Sequence, residues 1–258
     1  MYSHTKAKEL FDRVADDYED RCEKKTYNFS SLIFQRRMNL VKNLIAGSPS
    51  PGTALDYGMG PAVFGRACVD HGLRYLGIDI SPVMVERARA LNLKNSEFVV
   101  GDLETLKNYR NEMSLVLAIG LIDYLEYLQE GIEALAGAVQ PGGHIILSFR
   151  NRFALPTVER DAAKRLWNMF SSEDNPEKAF TARGVHEHAV SAGQLKKILG
   201  KMGFTPLEVH YFNASPFFFS FPMSEEMWKK WLAFDAKLAG RFTRWMCSGG
   251  LLAARKDK

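Results

Sequence analysis

The ten residues Thr53-Ala54-Leu55-Asp56-Tyr57-Gly58-Met59-Gly60-Pro61-Ala62 constrain this chain more than any other stretch. Ala54 and Leu55 read as the apolar end of a strand. Gly58 and Gly60 then let the backbone turn sharply and come close to a ligand. Pro61 suits the first turn of a helix, where its missing N–H costs nothing. Strand, glycine turn and helix together are the nucleotide-binding corner of an open α/β sheet.

The acid in that stretch narrows the ligand. A dinucleotide site aims helix N–H groups at a pyrophosphate. Asp56, two positions before Gly58, would oppose such an anion and favour a cation, such as a group carrying a sulfonium and an ammonium. The run Gly58-Met59-Gly60-Pro61-Ala62-Val63 also lacks the third glycine of the dinucleotide fingerprint. Two further acids stand at expected strand ends. Arg74 to Asp79 reads as a second strand whose terminal Asp79 can accept both hydroxyls of a ribose. Phe98 to Asp102 reads as a third, and the Asp102 carboxylate can accept from an adenine amino group. Between them Ser81 and Pro82 open a helix as N-cap and first residue.

The segments ALDYGMGPA, YLGIDISP, FVVGDLETL, LVLAIGLIDYL and PGGHIILSF, in this order and spacing, resemble the class I S-adenosylmethionine-dependent methyltransferases. The resemblance runs from Phe11 to about Lys256. It implies a doubly wound α/β fold with a seven-stranded, mostly parallel sheet and a helical cap. It implies S-adenosyl-L-methionine as cofactor and S-adenosyl-L-homocysteine as product. Asp56, Gly58 and Gly60 would lie against the methionine part. Asp79 would take the ribose, Ile80 would pack on the adenine, and Asp102 with the Leu103 N–H would read the adenine edge. Ala118 and Ile119 would close the methyl-donor side. The stretch Phe11-Asp12-Arg13-Val14-Ala15-Asp16-Asp17-Tyr18 resembles the lid helix of the quinone-biosynthesis and secondary-metabolite branches, with Tyr18 over the cofactor and Tyr27 as a second candidate; both could equally pack the helix on the core. Met59 stands where that family often has cysteine, and Ala62 where it often has glycine.

Length and composition agree with one domain. The 258 residues can bury one large α/β core. No apolar run is long enough to span a bilayer, and the first residues lack a signal-peptide core. Cys22, Cys68 and Cys247 lie far apart with no paired spacing, which suits a reducing cytoplasm and argues against structural zinc. The charge is uneven: residues 1–149 carry net −3 and residues 150–258 net +7. A solvated surface accounts for this. The alternative is an acceptor side that prefers anions or touches a membrane surface.

In chain order, apolar spacing predicts helices over about 6–23 and 29–45, with 47–52 as linker. Strands are expected at 53–57, 74–79, 96–100, 114–119, 144–149 and 204–212, and a last, antiparallel strand at about 249–254. Helices are expected at 61–71, 82–91, 128–139, 156–170, from Ser191 to Gly203, and at 225–238. The domain would divide into lid helices (1–50), a cofactor-binding core (53–149) and two acceptor-side cap insertions (150–185 and 213–245). Phe217, Phe218, Phe219 and Phe221 could wall an apolar acceptor pocket or pack under the terminal hairpin. The arginines from Arg150 to Arg165 could grip an anion or form a wet helix face.

Methyl transfer from a sulfonium is an in-line displacement that gains from alignment and exclusion of water. An oxygen acceptor that is not already acidic needs a base. His188 is the first candidate and His186 the second, because relatives place a histidine near there toward the acceptor; surface or capping roles are the alternative. His71 and His144 sit at the wrong ends of their elements. Asp123 reads as a helix cap, with a substrate role as the alternative. No metal set is present at a convincing spacing. The expectation is therefore a cytoplasmic methyltransferase, monomer or homodimer, with a small-molecule acceptor. The favoured reaction is O-methylation of an aromatic or lipid-like metabolite, with no nucleic-acid partner. The rivals are an RNA methyltransferase, which would show a different turn after the fourth strand than Ile119-Gly120-Leu121-Ile122, a cofactor-binding protein without turnover, and a nicotinamide enzyme.

Overall fold

A computed structural model describes residues 12, 29–155, 157–158, 188–214, 224–238 and 244–258, with residues 29–33 and 238 by backbone alone. The expected Tyr18 and Tyr27, most of the 6–23 and 156–170 helices, His186 and the phenylalanines at 217–221 lie outside the described residues.

The elements follow the α/β alternation. They are α1 (Phe29–Ala46), β1 (Gly52–Tyr57), α2 (Gly65–Asp70), β2 (Leu73–Asp79), α3 (Pro82–Ala90), β3 (Ser96–Val100), α4 (Leu103–Leu106) and β4 (Met113–Ala118), then a 3-10 turn (Ile122–Tyr124). After it come α5 (Leu128–Ala138), β5 (Val139–Arg150), α6 (Ala192–Lys201), β6 (Phe204–Ala214), α7 (Glu225–Leu238) and β7 (Cys247–Lys256). The seven strands form one sheet in the order β3-β2-β1-β4-β5-β7-β6. Strands β1 to β5 pair in parallel, while β7 runs antiparallel to both β5 and β6.

The near-continuous apolar run of β4 is what burial on both sheet faces requires. Leu115 and Leu117 join Leu40, Val41 and Ile45 of α1 on one face. Val116 and Ala118 join Ile132 and Leu135 of α5 and Leu195 of α6 on the other. Each such buried aliphatic side chain contributes about 1.5–3 kcal/mol, and this two-sided core holds β4 at the centre of the molecule. Strand β1 lies between β2 and β4, so the order of connection reverses there. A crevice at the carboxyl ends of β1 and β4 is the ligand site of such a sheet.

Two boundaries differ from expectation for local reasons. Helix α2 begins at Gly65, not at Pro61. Ala62 has φ +56°, a left-handed conformation that no α-helix contains, so 61–64 are turns. Strand β5 begins at Val139 rather than His144. It pairs Val139 with Met113 and then shifts register before Leu115, which absorbs the Pro141-Gly142-Gly143 bend inside the strand. Ser81 caps α3 by accepting from the Met84 N–H, and Ser191 and Gln194 cap α6 reciprocally. Helix α6 is capped at Met202, and Gly203 follows it with φ +75°. Among the described residues no helix is long and apolar enough to cross a membrane.

Candidate functional site

The glycine turn is fastened to the next strand. The Gly58 N–H donates to the Ile78 carbonyl at 2.8 Å. Gly58 has φ +71°, and a Cβ there would come within 2.8 Å of Leu121 Cδ1. The Gly60 N–H donates to Asp79 Oδ2 at 2.8 Å, and the Ser81 N–H to Asp79 Oδ1 at 2.9 Å. One carboxylate at the tip of β2 therefore ties the glycine turn to the start of α3. Burial raises the Asp79 carboxyl above its ordinary range, while the N–H groups of Ser81 and Gly60 pull it back down. Each oxygen holds one backbone bond, and carboxylate oxygens accept more than one. Asp79 is 7% exposed, so its carboxylate is largely shielded from bulk water.

The other acids take distinct positions. Asp56 is 1% exposed and accepts the Tyr75 hydroxyl at 2.8 Å. It shares a sheet face with Ala54 and lies in the packed layer behind the turn. Burial raises its carboxyl to about 7, partly opposed by the Tyr75 bond and reinforced by Asp79. Asp102 caps α4, accepting from the N–H groups of Glu104 and Thr105 through the same oxygen, Oδ1. Leu103 is the first residue of that helix, where an N–H has no partner within the helix. Burial also raises the Tyr57 phenol, and Asp102 and Asp79 add to the rise. Ile80 lies between Asp79 and Ser81 at the same edge. Asp12 reaches the site from the amino-terminal segment and receives a hydrogen bond from Ser81 Oγ. The charged neighbours acting on Asp56 and Asp79 are thus acids, Asp79 on the first and Asp12 on the second.

Across the crevice, β4 ends in buried Ala118, followed by Ile119 at 6% exposure. The Gly120 N–H donates to Ser148 Oγ of β5 at 2.5 Å. Asp123 does not cap its 3-10 turn. Its carboxylate accepts the Arg150 N–H at 3.0 Å, and its carbonyl accepts the His188 N–H at 2.7 Å. His188 is thereby held beside the carboxyl ends of β4 and β5. His144 pairs with Leu115 near the other end of β4, and His71 Nε2 contacts the Ser48 carbonyl below the sheet. Among the described residues no group of histidine, cysteine and carboxylate side chains could hold a metal ion.

The comparisons with known proteins fall on this same core. The profile of the methyltransferase-domain family matches residues 55–147, from β1 through β5. Residues 55–147 thus carry a methyltransferase domain. The chain is 25% identical over 189 residues to the malonyl-[acyl-carrier protein] O-methyltransferase of Prosthecochloris aestuarii. That match covers 67% of this chain and 63% of the relative's length. In fold it is similar to magnesium protoporphyrin IX methyltransferase from Synechocystis, solved with S-adenosylhomocysteine. The TM-score there is 0.65 at 17% identity, covering 99% of this chain and 100% of that one. It also resembles an S-adenosylmethionine-dependent methyltransferase from Mesorhizobium loti, with TM-score 0.58, 19% identity and coverage of 84% and 96%.

The sequence alone did not point to Tyr75, Ser81 Oγ, Asp12 or Ser148 as neighbours of these residues. Tyr75 had a signal in hindsight: a tyrosine inside an apolar strand needs a polar partner for its hydroxyl. The others join segments distant in the chain and left no local trace.

Proposed function

We propose that this protein is a methyltransferase that moves the methyl group of S-adenosylmethionine to an oxygen of a small acceptor, aromatic or lipid-like. The observation that carries the cofactor half is the Gly60 N–H on the Asp79 carboxylate. A pyrophosphate would need that donor; here an internal anion already holds it. The surrounding charge is acidic, which suits a sulfonium and an ammonium and repels a phosphate. In the reading offered here, Asp79 takes the ribose hydroxyls, Asp102 and the Leu103 N–H read the adenine edge with Ile80 beneath it, and Gly58 and Gly60 face the methionine part. Asp56 acts from behind the turn, through Tyr75 and the field it adds. Ala118 and Ile119 close the methyl-donor side. The bound sulfonium supplies an electrophilic methyl; the chain's part is to align the acceptor with it and exclude water.

The O-methyltransferase named above supports oxygen as the acceptor atom. His188, held at the carboxyl edge by Asp123, is proposed to take the acceptor's proton, with His186 as the second candidate. The test is incubation with isotope-labelled S-adenosylmethionine and a cell metabolite extract, with mass spectrometry of labelled products. A labelled ester or ether supports the reading. Cofactor binding with no labelled product from any pool favours a non-catalytic role. His188→Ala is expected to lower kcat about 10²- to 10⁴-fold with cofactor affinity unchanged; full turnover in that variant removes His188 as base.

A further inference from the structure

Two consecutive arginines on α1 meet opposite fates. Arg36 points to Asp235 of α7, with Nε 3.4 Å from Oδ2, and that carboxylate also accepts the Ala214 N–H at 2.6 Å. Arg37, turned about 100° around the same helix, points instead to the tip of β4. A Cβ built on Gly120 would lie 3.0 Å from Arg37 Nη1. Gly120 has φ +74°, and its missing side chain is what lets the guanidinium approach the strand end so closely. Arg37 stacks on the Phe34 ring, 4.7 Å from its centroid. Its Nε is buried and lacks a hydrogen-bond acceptor, and among the described residues no carboxylate pairs with it. Arg37 is half-buried, and leaving its enclosed Nε without an acceptor is costly. Here it sits at the carboxyl edge of the sheet, directly after the residues proposed to flank the methyl donor.

We propose that Arg37 is the anion-binding residue of the acceptor pocket and that the acceptor carries a carboxylate, held there apart from the oxygen that is methylated. This rests on the methyltransferase reading above. The planar fork of arginine matches the two oxygens of a carboxylate, and the Phe34 ring lies against its central carbon. A phosphate dianion fits less well. Arg37 alone would have to balance its second charge, and Asp79, Asp102 and Asp12 already make the crevice acidic. A carboxylate held at Gly120 would fix one end of the acceptor beside Ile119, leaving a hydroxyl elsewhere on the molecule free to reach the methyl group and His188.

The test is titration of the whole chain with benzoate, octanoate and inorganic phosphate, each with and without saturating S-adenosylhomocysteine. Wild type is expected to bind at least one carboxylate. Arg37→Gln should weaken that binding at least tenfold, and Arg37→Lys by less, with the affinity for S-adenosylhomocysteine changed less than twofold in either. The last readout also shows that both variants are folded. Unchanged carboxylate binding in Arg37→Gln overturns the proposal. So does binding of phosphate in place of both carboxylates, or no carboxylate binding by wild type in either condition. Failure of wild type to bind S-adenosylhomocysteine instead sinks the methyltransferase reading, and the titrations without it still decide Arg37.

Discussion

A single methyl group has opposite effects at two glycines of this chain. At Gly58, φ +71° makes any L-residue strained, and the new Cβ would meet Leu121 Cδ1 at 2.8 Å. The backbone term alone costs about 1–2 kcal/mol. Gly137, near the end of α5, has nothing within 4 Å of a built Cβ. There alanine gains about 0.5–1 kcal/mol from a less flexible unfolded chain and better helix propensity. Urea unfolding should therefore show Gly58→Ala less stable and Gly137→Ala more stable than wild type. Equal midpoints would remove the account of the turn. Ala62 shows the same rule from the other side: an alanine where the resemblance implies a glycine sits at φ +56°. The sequence marked that position as unusual, but which conformation it held depended on the turn being fastened to β2.

At the scale of elements, the two proposed cap segments meet at one residue. Asn151, just past β5 and 3% exposed, donates through Nδ2 to the carbonyls of Arg244 and Cys247, and its Oδ1 accepts the Phe153 N–H. The Leu155 N–H donates to the Trp245 carbonyl beside it. Asn151→Ala leaves buried backbone groups unpaired, and a cost of about 1–3 kcal/mol per such group is usual. The expected result is lower stability and a larger rise in acceptor KM than in cofactor Kd. If cofactor affinity falls and acceptor KM holds, these segments do not serve the acceptor. The strands were legible in the sequence because apolar runs, glycine turns and caps are local signals: Ser81, Ser191 and the run from Leu115 to Ala118 each announce their element. The starts of α2 and β5 were not, because a left-handed Ala62 and a register shift opposite Met113 are decided by neighbouring strands.

At the scale of the whole molecule, burial couples stability to pH through Asp56. Its carboxyl stands at about 7 in the fold and near 3.8 when exposed, so the folded state holds the extra proton. Stability from this group is fully present below pH about 4 and is lost as pH rises to about 7. Thermal midpoints should fall from pH 5 to pH 8, and Asp56→Asn, which can still accept the Tyr75 hydroxyl, should flatten that slope. An unchanged slope would place the titration elsewhere. The site as a whole was half legible. Its acids stand at strand ends that the sequence marks, but the partners that give them their roles come from afar: Tyr75 to Asp56, Asp12 to Ser81, Arg37 to Gly120. The claim beneath all of this is that an acid-lined glycine turn holds an adenosyl amino acid and refuses a pyrophosphate. Calorimetric titration of wild type and Asp79→Ala with S-adenosylhomocysteine and with NADH tests it most directly. The account predicts that wild type binds S-adenosylhomocysteine, that Asp79→Ala binds it at least tenfold more weakly, as loss of a charged hydrogen bond of about 1.5–3 kcal/mol implies, and that neither binds NADH. Binding of NADH by wild type, with S-adenosylhomocysteine left in solution, would contradict it.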